Sequence, residues 1–328
     1  MVRRVTSSPN FPKGDGKDSL VEVNMANLTR SMKNSKWRMS DKALVNFFIW
    51  PTLILLILMN IFPLFYSIFL SFNQYSVIGN KLPVWVWLQN FKDLLTNEQV
   101  WTYFTITGRY AIASVILQTV FGFGLAMLIR EKFKGSGIIT TLILIPMMLS
   151  PVVVGLFWKL MFNPGYGIFN YLVSWMGVPL ITDWLGKSDL ALWAIVIVDV
   201  WMWTPFVMLL VLSGLSAIPE YLYEAAVIDR ASSWFQFWKI TLPQVAPLVL
   251  IAVLFRSIEA FKSFDLAMGL TGGGPGAATR LISIDIYTRA FVGQFKTGQA
   301  SALAVIVLVV IIAVSNLYIT ALNKAKEG

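Results

Sequence analysis

The stretch EAAVIDRASSWFQFWKITLP, residues 224–243, lies between two strongly apolar segments of a 328-residue chain. It carries four charged side chains where the neighbouring sequence is mostly Leu, Ile, Val and Phe: Glu224, Asp229, Arg230 and Lys239. The role of such a polar stretch depends on what the apolar segments around it are.

The composition is that of a membrane protein. The chain is 57% hydrophobic and 13% charged, whereas about 25% of a soluble protein is charged. It contains no Cys and no His, which excludes disulfides, thiol nucleophiles, Ser-His triads and ordinary zinc sites. The net charge of +9 does not indicate nucleic-acid binding, because most basic residues flank apolar runs on alternate sides.

Six apolar runs are long enough to cross about 30 Å of hydrocarbon as helices. A backbone in hydrocarbon must satisfy its own hydrogen bonds, so the sequence predicts an all-α membrane protein. Pro146, Pro151 and Pro205 predict kinks within these helices. The predicted spans are 44–70, 103–129, 138–162, 190–214, 244–264 and 302–322.

The distribution of Lys and Arg predicts the orientation. The N-terminus, the 130–137 loop, the 215–243 loop and the C-terminus together carry 16 of the 26 basic residues. Cytoplasmic loops are enriched in Lys and Arg, so we assign this group to the cytoplasm. The domain prediction is a basic cytoplasmic tail at 1–43, a transmembrane domain at 44–322 and a short cytoplasmic tail at 323–328.

Two glycine-containing stretches have the wrong context for nucleotide binding. LGKS at 185–188 has Ile181 where a phosphate loop needs Gly, and it lies on the predicted outer face. GGGPGA at 272–277 follows a membrane helix rather than a strand, with Pro275 where a helix should open. We therefore expect no cofactor on this chain.

The opening stretch predicts a short surface helix. Pro219 suits the first helical position, and Glu220 favours the positive end of the helix dipole. One face at helical spacing then holds Leu222, Ala225, Ala226 and Asp229. The two alanines make that face thin enough for another protein to approach.

An aromatic segment follows this helix. Ser232 or Ser233 is positioned to cap a second helix through WFQFWKI, whose rings suit a membrane interface. Pro243 is expected to end that helix before the fifth span. An ordinary amphipathic loop explains these features equally well.

The spacing adds a family resemblance. The stretch resembles the EAA loop of bacterial ABC-importer permeases, E-A-A-x-x-x-G followed by I-x-L-P, with Arg230 at the Gly position. For Arg230 we expect either an ordinary helical dihedral or a locally altered turn, since a left-handed conformation strains Arg. The matching residues are Glu224, Ala225, Ala226, Asp229, Ala231, Ile240, Leu242 and Pro243.

Other segments are similar to sugar-importer permeases of the maltose-transporter type, and the resemblance covers most of residues 40–322. They are LILIPMMLSPVVVGLFWKLMFNPGYGIFN at 142–170, LSAIPEYLYEAA at 215–226 and LTGGGPGAAT at 270–279. The resemblance implies a type I ABC-importer permease fold with a cytoplasmic coupling helix, in the bacterial cytoplasmic membrane.

The implied partners are a homologous second permease, two ATPase subunits that bind ATP and Mg, and an extracytoplasmic solute-binding protein. The coupling helix at 220–231, within the 220–243 loop, would dock on one ATPase through Glu224, Ala225, Ala226, Asp229 and Arg230. Alternating access driven by ATP would then move the solute.

Charged residues inside spans indicate function, because they cost roughly 2.5–3.5 kcal/mol each. Asp199 with Trp203, and Arg256 with Glu259, combine carboxylates, a cation and an aromatic ring at helical spacing, as sugar sites do. The resemblance implies sugar contacts at Asp199, Met202, Trp203, Phe206, Arg256, Glu259, Ala260 and Ser263. Because Arg binds carboxylates bidentately, Arg256 narrows the expected solute to an acidic sugar, such as an alginate oligomer, as a refinement of the prediction.

Three alternatives stay open at this point. Asp199–Arg256 or Arg256–Glu259 could be ion pairs that never touch a solute. The chain could be a membrane-embedded glycosyl-transferring enzyme with Asp199 and Glu259 as its acids, although the absence of His weakens this alternative. It could also be a membrane protein that works without an ATPase.

Overall fold

The computed structural model describes residues 40–78, 82–131, 133–293 and 295–327, without the side chains of 41, 43 and 324–327. Most of the predicted 1–43 tail lies outside these ranges. The chain divides into two compact units, residues 1–63 and 64–328. The described part of the first unit is helical from Asp41 and includes a π-helical turn, Ile57–Ile61.

Helices dominate the described residues, as predicted. Their bounds are Asp41–Leu56, Phe62–Ser71, Gln89–Leu95, Glu98–Arg130, Ser136–Leu144, Pro151–Met161, Ile168–Ser174, Ser188–Ala217, Glu220–Ile228, Ser233–Gln236, Leu242–Lys262, Asp265–Leu270, Ile282–Phe291 and Thr297–Glu327, with a 3-10 turn at Ile145–Met148 and a π-helical turn at Phe237–Thr241. The described residues also contain one small antiparallel pair of strands, Asn73–Gln74 with Val84–Trp85.

Among the described residues, five helices are long and apolar enough to span a membrane, and a bent helix pair passes the same test when its halves are taken together, which gives up to six spans. We number them spans 1 to 6: Leu44–Ser71, Glu98–Arg130, the pair Ser136–Met148 and Pro151–Met161, Ser188–Ala217, Ser233–Lys262 and Thr297–Asn323. The six predicted spans correspond to these five helices and the bent pair. The last helix continues to Glu327, so most of the predicted C-terminal tail is helical.

Span 3 is broken rather than kinked. Its two halves meet at 99°, between Met148 and Pro151. Ser150 is extended because the ring of the following proline disfavours a helical conformation there, and Pro151 then starts the second half. Span 4, in contrast, continues as helix through Pro205.

Spans 2 and 4 pack closely within the second unit. Gly122 makes this possible, because a Cβ atom there would lie 2.7 Å from the Cβ of Val207. Small residues allow such close approach between membrane helices. The contact brings the polar side chain one turn before Gly122, Gln118, against span 4.

Candidate functional site

A buried ion pair joins spans 4 and 5. Arg256 Nη2 lies 3.2 Å from Asp199 Oδ2 and 3.3 Å from Oδ1, and only 2–3% of either residue is exposed. Two charges in an apolar interior are tolerated when they are paired and hydrogen-bonded. Burial therefore requires this pairing while the site is closed.

Gln118 of span 2 completes the pair, and we call the three residues the ion-pair network. Its Nε2 donates to Asp199 Oδ2 at 2.8 Å and to the Asp199 carbonyl at 3.1 Å. Its Oε1 accepts from Arg256 Nε at 2.8 Å. Sequence reasoning missed Gln118, although an amide in an apolar span is a recognisable signal for a contact between helices.

The Arg256 guanidinium also lies against an aromatic ring. Its Cζ is 4.7 Å from the ring centroid of Trp203, within range of a cation–π interaction. Among the described residues, Nη1 of Arg256 has no hydrogen-bond partner, whereas Nε and Nη2 have theirs. The Nη1 group, with its two N–H donors, is therefore available to a ligand.

A cavity of about 130 Å³ adjoins the network. Pockets for small organic ligands usually measure about 300–1,000 Å³, so this cavity must widen before it admits one. Its lining includes five of the eight predicted sugar-contact residues. The lining residues are Pro151, Asp199, Trp203, Arg256, Glu259, Lys262, Ser263, Phe264, Asp265 and Leu266.

The other three predicted contacts lie elsewhere. Met202 and Ala260 are buried in the core around spans 2 to 5. Phe206 packs against a second core cluster, which includes Val207 and Val211. The cavity therefore does not use them: Met202 and Ala260 are covered by the core, and Phe206 lies seven residues, about 10 Å, along span 4 from Asp199.

Neighbours hold three more of the polar lining residues, Glu259, Lys262 and Ser263. Glu259 Oε1 lies 2.7 Å from Lys262 Nζ, and both side chains are more than half exposed. Ser263 Oγ accepts a hydrogen bond from the Tyr110 hydroxyl at 3.1 Å. Asp199 and Glu259 are thus each paired with a cationic side chain, Arg256 or Lys262. This arrangement does not resemble a catalytic pair of acids.

We call the short helix Glu220–Ile228, which overlaps the start of the opening stretch, the loop helix. Its N-cap is Pro219, one position earlier than predicted. Ser232 caps the next helix, as expected, accepting from Phe235 N at 3.2 Å. Pro243 does not separate that helix from span 5, because Ser233–Lys262 forms one long helix through the π-helical turn.

The exposed face of the loop helix differs from the predicted one. Ala226 is only 7% exposed, and Leu222 packs against the core cluster of spans 2, 4 and 5. A set of exposed side chains at the same helical spacing lies one position earlier in the sequence than the predicted set. We call them the exposed stripe: Tyr221, Glu224, Ala225 and Ile228.

Arg230 adopts a left-handed backbone conformation, with φ of 55°. Of the two expected alternatives, the ordinary helical dihedral is therefore wrong, and the turn is left-handed despite the Cβ atom of Arg230. Ala231 N donates to the Ala226 carbonyl at 2.8 Å, and Arg230 N to the Val227 carbonyl at 3.0 Å. These two bonds form a Schellman motif, in which glycine usually occupies the position of Arg230.

Comparison with known proteins identifies the chain. Residues 118–327 match the family described as the binding-protein-dependent transport system inner membrane component. The chain belongs to this family. The matched region of this permease begins at Gln118 and contains every predicted site residue.

The permease has close relatives along nearly its whole length. It is 36% identical to the trehalose/maltose transport system permease protein of Thermococcus litoralis, over 84% of this chain and 92% of that protein. It is 30% identical to the probable starch degradation products transport system permease protein of Thermoanaerobacterium thermosulfurigenes, over 90% and 98%. The trehalose transport system permease protein of Mycobacterium tuberculosis is 29% identical, over 94% and 98%.

Solved structures confirm the fold. The permease superimposes with a TM-score of 0.71 on a chain of a bacterial alginate ABC transporter in complex with an alginate pentasaccharide-bound periplasmic protein. That match has 22% identity and covers 84% of this chain and 92% of the other. The expected type I importer permease fold is therefore correct.

Proposed function

We propose that this permease carries a sugar or oligosaccharide through the membrane by alternating access, driven by ATP. The observation that carries the proposal is the near full-length similarity to permeases named for trehalose, maltose and starch degradation products. The lining of the cavity supports it, because carboxylates, a guanidinium and an indole ring suit hydroxyl groups and apolar sugar faces.

The permease works in an assembly. Its partners are a homologous second permease, two ATPase subunits that bind ATP and Mg, and an extracytoplasmic solute-binding protein. The bacterial cytoplasmic membrane holds it with both termini in the cytoplasm. One ATPase receives the loop helix, at a surface that includes Glu224, Ala225, Asp229 and Arg230. The exposed stripe supports this docking, because an apolar side chain on a polar loop, Ile228, is 81% exposed.

The ion-pair network is the element that the sugar competes with. In the closed site, Asp199 accepts from Arg256 and Gln118. When the cavity widens, sugar hydroxyls donate to Asp199 and accept from Arg256 Nη1, while a sugar face stacks on Trp203. Exchanging protein hydrogen bonds for sugar hydrogen bonds changes the net energy little, so the solute can both enter and leave.

The charge of the cavity bears on the sugar class. Three carboxylates and two cations line it: Asp199, Glu259, Asp265, Arg256 and Lys262. A neutral sugar fits this balance, because a carboxylated one would meet the excess of negative charge. The refinement to a uronate oligomer rests on Arg256, since Arg pairs with carboxylates bidentately.

The test is uptake by the whole purified assembly in proteoliposomes, with ATP inside. Labelled maltose, trehalose, maltotriose and mannuronate oligomers are supplied, each with its loaded binding protein. We expect saturable, ATP-dependent uptake of at least one neutral oligosaccharide and none with ATPases that cannot hydrolyse ATP. Uptake of the uronate alone would establish the acidic refinement, and failure of all four would contradict the sugar assignment.

A further inference from the structure

Tyr223 lies on the inner side of the loop helix and contacts the ends of two spans. Arg130, the last residue of span 2, places its Cζ 4.3 Å from the Tyr223 ring centroid. The Tyr223 hydroxyl lies 2.9 Å from Oγ1 of Thr241, the last residue of the π-helical turn in span 5. One side chain therefore bridges spans 2 and 5 from the loop helix.

The same two spans meet again in the ion-pair network. There, Arg256 of span 5 donates to Gln118 of span 2 at 2.8 Å. At 1.5 Å per residue, this contact lies about 18 Å along span 2 from Arg130 and about 22 Å along span 5 from Thr241. Spans 2 and 5 are thus linked by a polar contact at two depths.

The helix of span 5 is irregular where Tyr223 touches it. Phe237–Thr241 is a π-helical turn, and Thr241 Oγ1 donates to the Gln236 carbonyl at 3.3 Å. Phe237 in this turn packs edge-on against Phe123 of span 2, with ring centroids 5.7 Å apart. Single π-helical turns are frequent at functional sites, and this one can alter the angle between the loop and the span.

We propose that Tyr223 is a positioning residue that sets the separation of spans 2 and 5 at the loop-helix end. Through that separation it controls whether Gln118 and Arg256 stay hydrogen-bonded. The inference rests on the proposed function, in which the ATPases move the loop helix. Movement of Tyr223 parts the two spans, breaks the Gln118–Arg256 contact and frees Asp199 and Arg256 for the sugar.

The test measures the separation of the two spans directly. The chain has no cysteine, so Ile116→Cys and Phe255→Cys place two spin labels at exposed positions of spans 2 and 5. Distances are recorded in the complete assembly, with ATPases that bind but do not hydrolyse ATP, before and after MgATP. We expect two distance populations whose ratio changes on adding MgATP.

Three variants are compared in this background. Tyr223→Phe keeps the ring over Arg130 but loses the hydroxyl, and it should change the population ratio about fivefold, the worth of one neutral hydrogen bond. Thr241→Val removes the other end of the same bond, so adding Tyr223→Phe to it should change nothing further. Tyr166→Phe, at a tyrosine that is 68% exposed, is the matched control and should match the parent.

The outcomes separate this inference from the proposed function. If the ATPases do not copurify with the parent chain, the proposed function fails and the inference with it. If they copurify and the parent distances respond to MgATP, but Tyr223→Phe gives the parent ratio or is additive with Thr241→Val, the role of Tyr223 alone is wrong.

Discussion

Arg256 is the residue whose environment carries the most information. A guanidinium buried in a span is held by a carboxylate of span 4, an amide of span 2 and an indole ring. Each of these partners compensates part of the loss of water around the charge. In the proposed function, a stabilising contact and a solute-binding contact therefore share the same atoms.

Removing one charge of the ion pair, and then both, separates its effect on stability from its proposed role in solute binding. Arg256→Met alone leaves Asp199 buried and unpaired, so the unfolding free energy should fall by roughly 3–5 kcal/mol. Asp199→Leu combined with Arg256→Met removes both charges and should recover most of that loss, while uptake stays absent. Thermal melting of the purified assembly and uptake in proteoliposomes measure the two effects.

The exposed pair Glu259–Lys262 is the control for stability. Lys262→Met should change the unfolding free energy by less than about 1 kcal/mol, because water screens this pair.

The uptake measurement tests the role of the buried pair. Wild-type uptake by the variant that combines Asp199→Leu with Arg256→Met would show that the buried pair never contacts the sugar.

Arg230 allows a second prediction for a single residue. Its left-handed conformation strains any residue with a Cβ atom, by about 1 kcal/mol or more. Arg230→Gly relieves the strain but loosens the unfolded chain, so stability should stay within about 0.5 kcal/mol. Arg230→Val, which is β-branched, should lower stability by about 1–2 kcal/mol. Equal melting temperatures for the two variants would contradict the strained turn.

The loop helix packs against this chain with one side and leaves the other side exposed. Its inner side chains, Leu222, Tyr223 and Ala226, are held by this chain, and its exposed stripe faces away. Nine residues give too few hydrogen bonds for an isolated helix to be stable in water. The Schellman motif and the Tyr223 contacts therefore keep it folded before any partner arrives.

Docking through the exposed stripe predicts which substitutions release the ATPase. Ile228→Asp and Glu224→Lys should each lower the affinity for the ATPase about thirtyfold, equivalent to about 2 kcal/mol for a central interface residue. Copurification of the ATPase with the permease measures this loss. Lys134→Glu is the control, because it reverses an exposed charge on the same predicted side. Copurification that survives both stripe variants would place the ATPase contact elsewhere.

At the scale of the whole molecule, the charge distribution predicts how the spans are oriented in the membrane. The basic loops and termini alternate with less basic loops along the chain, and the spans between them present apolar side chains outward, for example Ile112, Ile116 and Val120. Apolar side chains facing outward are expected where the solvent is lipid.

The orientation is testable because the natural chain lacks cysteine. Ser188→Cys and Ser216→Cys place single thiols at exposed positions near the two ends of span 4. A membrane-impermeant maleimide should label Ser188→Cys in intact cells and Ser216→Cys only in inside-out vesicles. The reverse pattern would invert the predicted topology.

By itself, the sequence determined the membrane class, the six spans and the family. Apolar runs of span length and the EAA spacing are local properties, and they survive whatever the helices pack against. It also identified Asp199 and Arg256 as charged residues inside spans, which indicate a functional site.

Only the tertiary structure decided which partners these residues have. Gln118 meets Arg256 across 138 positions of sequence, and no periodicity within one span indicates such a contact. The one-step rotation of the exposed stripe has the same origin, because the packing of distant spans covers Leu222 and Ala226. The break in span 3 and the left-handed Arg230 have local causes, Pro151 and the Schellman motif, but only the structure gave the 99° angle and the positive φ.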